Sequence, residues 1–169
     1  MSETGFVPVR KLSADDTVDA FDCGRPALNQ FLQRYALLNQ QANSARTYVC
    51  CHERQVIGYY SLTVGSVAPR SAPPRVSKGL AAYPVPVMIL ARLAVNLSWQ
   101  RQGLGRALLK DALLRTVQAA DLAGIRALLV HAKDEDARRW YESWEFESSP
   151  TDPFHLFLLL KDIKELLNR

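Results

Sequence analysis

Met88-Ile-Leu-Ala-Arg-Leu-Ala-Val-Asn-Leu-Ser-Trp-Gln-Arg-Gln-Gly-Leu-Gly-Arg-Ala-Leu-Leu109 is the stretch that decides the fold. Its apolar run, residues 87–97, reads as a strand. A polar segment, 98–103, follows and ends in glycine. From Leu104 onward Leu109, Ala112, Leu113, Val117 and Ala120 share one side, and Asp111, Arg115 and Gln118 the other. That spacing predicts a helix over 104–123. A strand that runs through a tight loop into a helix makes a place for an anion. Gly103 and Gly105 let a ligand approach the backbone. The first N–H groups of a helix have no acceptor inside it, and its dipole favours negative charge there. A Walker loop is excluded, because no Gly-Lys-[Ser/Thr] is present. A dinucleotide fingerprint needs a third glycine where Leu108 stands, and an acid nearer than Asp134.

Working outward, residues 125–131 form a second apolar run, buried on both faces as a strand of a parallel pair would be. Gly124 before it suits a left-handed helix cap. Asp134 can cap a helix over 135–144, and 154–160 and 161–168 read as a strand and a terminal helix. Upstream, residues 46–52 and 56–67 are rich in Tyr, Val and Thr and are separated by Glu53-Arg-Gln, the pattern of an antiparallel hairpin. Pro26 opens a helix over 25–40, with Leu28, Phe31, Leu32 and Tyr35 on one face. Residues 6–9 suggest a short first strand. The segment 68–86 carries five prolines and reads as a long connection. The mixture predicts an α/β domain spanning 1–169, with a mixed parallel/antiparallel central sheet flanked by helices.

Composition narrows the function classes. The chain has 169 residues and 48% hydrophobic content, enough for one core. No apolar run approaches the roughly 20 residues of a membrane span. Met1-Ser-Glu-Thr lacks a signal peptide's basic start, so the expected location is the cytoplasm. The three cysteines, Cys23, Cys50 and Cys51, give neither a disulfide framework nor a CxxC site, and no metal is expected. A net charge of +4 tolerates a polyanionic partner.

The loop Gln100-Arg-Gln-Gly-Leu-Gly resembles the [RQ]-x-x-G-x-[GA] pattern of the GNAT acetyltransferase superfamily, at the same strand-loop-helix junction. The resemblance implies that Gln100, Arg101, Gln102, Gly103, Leu104, Gly105 and Arg106 hold the acetyl-CoA pyrophosphate. It implies that backbone groups of Leu93, Ala94 and Val95 line the pantetheine arm, where the next strand splays away. Asp134-Glu-Asp-Ala-Arg-Arg-Trp-Tyr-Glu-Ser-Trp-Glu-Phe146 resembles the family's N-x-x-A-x-x-x-Y-x-x-x-G-F helix, with Asp134 in place of Asn and Glu145 in place of Gly. Asp134 is thereby placed with the cofactor residues, and Tyr141 becomes the proton donor to the leaving thiolate. Spacing alone would make Tyr141 a core residue beside Ala137, Trp140 and Trp144.

Four further segments resemble the TacT-type toxins of this superfamily: Phe21-Asp-Cys-Gly-Arg-Pro-Ala-Leu-Asn-Gln-Phe-Leu32, Arg46-Thr-Tyr-Val49, Gly58-Tyr-Tyr-Ser-Leu62 and Pro153-Phe-His-Leu-Phe-Leu-Leu-Leu-Lys-Asp162. That likeness implies acetylation of the α-amine of aminoacyl-tRNA, arrest of translation, a ribbon-helix-helix antitoxin and a homodimer. An α-amine near pKa 7.7 is about 30% neutral near pH 7.4, a lysine only about 0.1%, so this acceptor needs little help from a base. Arg70, Arg75, Lys78 and Arg92 are expected to meet tRNA phosphates, with Arg34 and Arg46 behind them. Two other readings stay open: an enzyme acting on a small amine or a protein lysine, and a CoA-binding module without turnover. The phenol poses its own question. Transfer of its proton to a thiolate near 8.5 is uphill by about 2 kcal/mol, so Tyr141 acts by hydrogen bonding or has a lowered pKa.

Overall fold

The strands form where β-branched, aromatic and leucine residues cluster. A computed structural model describes residues 8–80 and 83–169. The strands are β1 (Arg10–Lys11), β2 (Arg46–His52), β3 (Gln55–Val67), β4 (Val85–Val95), β5 (Ala127–His131), β6 (Glu147–Ser148) and β7 (His155–Leu159). They make one seven-stranded sheet in the order β1-β2-β3-β4-β5-β7-β6. β4 and β5 pair in parallel, while the β1/β2, β2/β3, β5/β7 and β6/β7 pairs are antiparallel. The mixed α/β sheet expected from the sequence is therefore present. The expected strand at 6–9 falls partly outside the described residues, and the first described strand is Arg10–Lys11.

The chain divides into two compact units. One holds Met1–Thr63 and Ala91–Ala112, the other Val64–Leu90 and Leu113–Arg169. In the first, Phe21, Phe31, Leu32, Val49, Val56 and Tyr59 form the heart of the core. Its helix has three parts: α1 (Pro26–Gln30), a π-helical turn (Phe31–Tyr35) and α2 (Ala36–Gln41). The wide turn is closed by the Ala36 N–H donating to the Phe31 carbonyl, five residues back. It alters the buried face. Tyr35 was expected inward but is 50% exposed, whereas Ala36 is 1% exposed. One added residue per turn moves the apolar stripe from position 35 to 36.

In the second unit, Val76, Val85, Val87, Ala127, Leu129 and Phe157 pack together. The β5 residues Ala127–Val130 are all buried, as expected of a strand covered on both faces. The proline-rich connection is not bare loop. Pro69–Ser71 is a 3-10 turn and α3 spans Pro74–Ser77, because proline's fixed φ suits the first helical position. Arg126 closes α3 by donating from Nε to the Val76 carbonyl (2.8 Å) and from Nη2 to that of Lys78 (3.0 Å).

The long helix α4 covers Leu104–Ala120 and α6 covers Leu160–Leu167. Gly124 does not cap α4: it is absent from the left-handed glycines, which among the described residues are Gly24, Gly79 and Gly103. The helix unwinds earlier, as Asp121 and Leu122 donate to the carbonyls of Gln118 and Ala119, three residues back. Thr116 is fully buried on the α4 inner face. Asp111, expected on the solvent side, accepts from the Tyr60 hydroxyl at 2.5 Å.

Candidate functional site

The loop after β4 is held from beneath by the first unit's own side chains. The Asn96 N–H donates to the Ile57 carbonyl (2.8 Å), and Asn96 Oδ1 accepts from the Ser98 N–H (3.2 Å) and hydroxyl (3.0 Å). That starts a 3-10 turn over Leu97–Trp99. Gln100 Nε2 then donates back to the carbonyls of Val95 (2.9 Å) and Cys23 (3.2 Å). Cys23 is itself fixed, its N–H donating to Asn29 Oδ1 (2.8 Å). Asp22 Oδ1 accepts from the Gly24 N–H (2.9 Å) and Asn29 Nδ2 (3.0 Å), and its carbonyl accepts from Leu97 (2.8 Å). The segment Phe21–Leu32 is thus a platform for the loop. The sequence signal for it is the Asp-x-Gly turn with Asn29, an arrangement in which short polar side chains satisfy nearby backbone.

The Gln100 amide thus braces the loop. Arg101 (φ 63°) and Gly103 (φ 87°) turn the chain so that α4 opens with the Ala107 N–H donating to the Gly103 carbonyl at 3.0 Å. Leu104 and Leu108 seat the helix on Gly58, where a Cβ would come within 3.0 Å of both. Outside, a Cβ on Gly103 would meet nothing within 4 Å. Gln100, Arg101, Gln102, Gly103 and Arg106 are exposed. An open glycine, two cations and the positive end of a 17-residue helix fit a pyrophosphate. The edge of β4 fits the adjoining arm. Its pairing with β5 runs from Val87↔Ala127 to Leu90↔Val130, and β4 continues to Val95. Leu93, Ala94 and Val95 lie on that continuation, although the Val95 carbonyl already accepts from Gln100.

Tyr141 and Asp134 belong to the second unit. Asp134 Oδ1 accepts from the Ala137 N–H (2.8 Å), so its carboxylate is the N-cap of α5 (Glu135–Glu142). The helix ends in a Schellman turn. Phe146 N–H donates to the Tyr141 carbonyl (3.3 Å) and Glu145 N–H to that of Glu142 (2.9 Å). Glu145 takes the left-handed conformation (φ 73°) where glycine is the usual choice, and its carboxylate pairs with Arg169 at 2.7 Å. The apolar contact that completes such a turn is the Tyr141 ring edge-on to Phe146, centroids 5.4 Å apart, with Trp140 at 5.0 Å. Tyr141 is 8% exposed. Among the described residues its hydroxyl has no hydrogen-bond partner, and no buried side-chain oxygen lacks one, so the oxygen reaches the surface. Burial pushes its pKa up, the direction opposite to a lowered one.

The basic residues separate into groups. Arg75 pairs with Glu147 (2.7 Å) and Asp162 (2.8 Å), a structural position rather than the open one expected of a phosphate ligand. Arg46 donates to the Gln40 carbonyl (2.9 Å) and Asn43 Oδ1 (3.0 Å). The Arg92 guanidinium lies 3.8 Å from the centroid of the Phe31 ring, a contact worth about 1 kcal/mol. The side chains of Arg34, Arg70 and Lys78 are exposed. All three cysteines are buried and none is in a disulfide among the described residues, and burial pushes the Cys50 thiol up to about 11, which makes it a poor nucleophile. Two histidines distant in sequence do meet: His131 and His155 stack at 4.2 Å, and burial followed by the His155 charge lowers the His131 pKa.

The chain matches the model of the acetyltransferase (GNAT) domain over residues 43–148. It is 46% identical, over 97% of its length and 98% of the relative's, to the tRNA-acetylating toxin of Mycobacterium tuberculosis. Among solved structures it resembles AtaT complexed with acetyl-methionyl-tRNAfMet (TM-score 0.88, 31% identity, 94% of this chain and 98% of that one). It also resembles a tyrosine-to-phenylalanine variant of AtaT bound to acetyl-CoA and the C-terminus of the antitoxin AtaR (TM-score 0.82, 31% identity, 96% and 98%). The exposed glycine loop, the continued β4 edge and the whole-length likeness agree, and the chain belongs to the GNAT acetyltransferase family.

Proposed function

We propose that this chain moves an acetyl group from acetyl-CoA to the α-amine of aminoacyl-tRNA and so blocks translation, as one domain over residues 1–169. The observation that carries the reading is the 46% identity across nearly the whole of a tRNA-acetylating toxin. β3, β4 and α4 each contribute residues to both compact units, which supports one domain. When bound, acetyl-CoA supplies a thioester carbon for the amine to attack and a thiolate to leave. The backbone of 100–106 holds the pyrophosphate, and the β4 continuation at Leu93–Val95 orients the arm through its N–H and C=O groups. Tyr141 donates a hydrogen bond to the departing sulfur. Its raised pKa supports a donor that keeps its proton over one that releases it readily. Asp134 contributes by starting α5, which carries Tyr141. Arg70, Lys78 and Arg92 receive tRNA phosphates, while Arg75 would first have to leave two carboxylates.

The related AtaT is seen with its antitoxin, which supports an antitoxin for this chain, of the ribbon-helix-helix type, and a homodimeric toxin in the cytoplasm. Among the described residues no helix is long and apolar enough to cross a membrane. The test is incubation with acetyl-CoA and mixed charged tRNA, followed by release of the amino acids. Recovery of N-acetylated amino acid is expected. CoA release only with small amines or protein lysines would overturn the acceptor, and no CoA release with any amine would leave a binding module.

A further inference from the structure

A groove of about 530 Å³ opens in the second unit where β5 begins, β7 ends and α6 starts. Ile125 and Leu159 contribute apolar wall, and Arg126, Lys161, Lys164 and Asn168 contribute polar groups. Lys161, Lys164 and Asn168 are spaced by three and four residues, so α6 presents them on one face. The neighbouring acids are already neutralised: Arg75 holds Asp162 and Glu147, and Arg169 holds Glu145. Glu165 is the carboxylate lining the groove, and it faces the Arg169 charge. Among the described residues Lys161 and Lys164 have no carboxylate partner, and Arg126 bonds only carbonyls. One of those carbonyls is that of Lys78, whose side chain is exposed.

We propose that Lys78, Arg126, Lys161 and Lys164 form a phosphate-backbone subsite for the acceptor arm of the RNA substrate. This rests on the aminoacyl-tRNA reading above. Point charges on flexible lysine stems suit contacts that position a nucleic acid without reading its bases. The spacing also fits. Arg126, at the groove, immediately precedes β5, which ends at His131, at the carboxyl end of the parallel pair where such folds bind ligands. Five residues at about 3.3 Å each place the groove roughly 17 Å from that end. At a rise of about 3 Å per stacked nucleotide a strand needs more than three nucleotides to cover that length, so the groove takes phosphates beyond the terminal trinucleotide.

The experiment compares the parent with the Lys161→Gln/Lys164→Gln double variant, both exposed helix positions where glutamine is tolerated, with thermal unfolding as the check on folding. For charged tRNA the KM is expected to rise about tenfold, and the slope of log KM against log salt to flatten by between one and two. The KM for acetyl-CoA and turnover of an aminoacylated trinucleotide, too short to reach the groove, stay unchanged. A parent that acetylates charged tRNA beside a double variant with the same KM and slope overturns the subsite. A double variant that keeps its tRNA kinetics but loses binding of a Glu/Asp-rich peptide overturns it in favour of an acidic protein segment. A parent that never acetylates charged tRNA sinks the acceptor reading instead.

Discussion

Gly103 and Glu145 occupy the same backbone conformation at opposite kinds of helix end. Gly103 (φ 87°) opens α4 and Glu145 (φ 73°) closes α5. For a residue with a Cβ that conformation costs about 1–2 kcal/mol, yet Asn43, Glu53, Arg54, Arg101 and Glu145 all adopt it here. Conformation alone therefore does not require glycine at 103. Packing does not require it either, since a Cβ there would meet nothing within 4 Å. What remains is the space outside the chain: glycine keeps the backbone clear for something that approaches it. At 145 the logic is reversed. The turn faces inward, its purpose is the contact between Phe146 and Tyr141, and a side chain is tolerated and even paired with Arg169. The first end stands open to approach, and the second closes on its own apolar contact.

The comparison breaks most visibly at Tyr141. Tyr141→Phe keeps the ring and its contacts with Trp140 and Phe146. Its hydroxyl has no partner to lose among the described residues, so stability should change by less than about 0.5 kcal/mol. Acetyl transfer should fall by about 10²–10⁴, with acetyl-CoA binding intact by calorimetry. Near-parental turnover would mean that the α5 end aims nothing.

Gly103→Ala comes next. Its stability cost is the left-handed one, about 1 kcal/mol, read as a small fall in Tm. If the open space serves the pyrophosphate, the Kd for CoA should rise at least about tenfold, because a methyl group stands where N–H groups must be reached. A folded Gly103→Ala protein that binds CoA as the parent does would reduce the glycine to an ordinary turn.

Local chemistry was what the sequence could express. β2 is legible to the residue, Arg46–His52, because its strand formers are contiguous and a turn bounds them. The Asp134 cap is legible because partner and cap lie three residues apart. The π turn at Phe31–Tyr35 is hidden, since an apolar pattern at 28, 31, 32 and 35 describes a regular helix equally well. Roles decided across the chain are hidden too. Gln100 donates to the Cys23 carbonyl from 77 residues away and Arg75 meets Asp162 from 87 away, side-chain contacts that no local pattern announces. The cationic groove is assembled from Arg126 and α6, and neither segment is notable alone.

The finest test is Glu145→Gly, which restores the residue usual at that turn. Three terms compete. Relief of the left-handed backbone gains about 1–2 kcal/mol. The freer unfolded chain of glycine loses about 0.5–1 kcal/mol. Loss of the exposed, solvent-screened pair with Arg169 subtracts little. The two backbone terms leave a gain of between about 0 and 1.5 kcal/mol, reduced by whatever the exposed pair contributes, so Tm should rise by no more than about 3–6 °C for a chain of this length. Salt gives the sign a second reading. Screening weakens the parent's ion pair and leaves the variant alone, so the variant's advantage should grow as salt rises. Acetyl transfer should match the parent's, because the two Schellman hydrogen bonds use backbone atoms only and Phe146 still meets Tyr141. Loss of transfer in a stable Glu145→Gly protein would show that the carboxylate, and not the turn, serves the site, and the contrast with Gly103 would then fail at its second member.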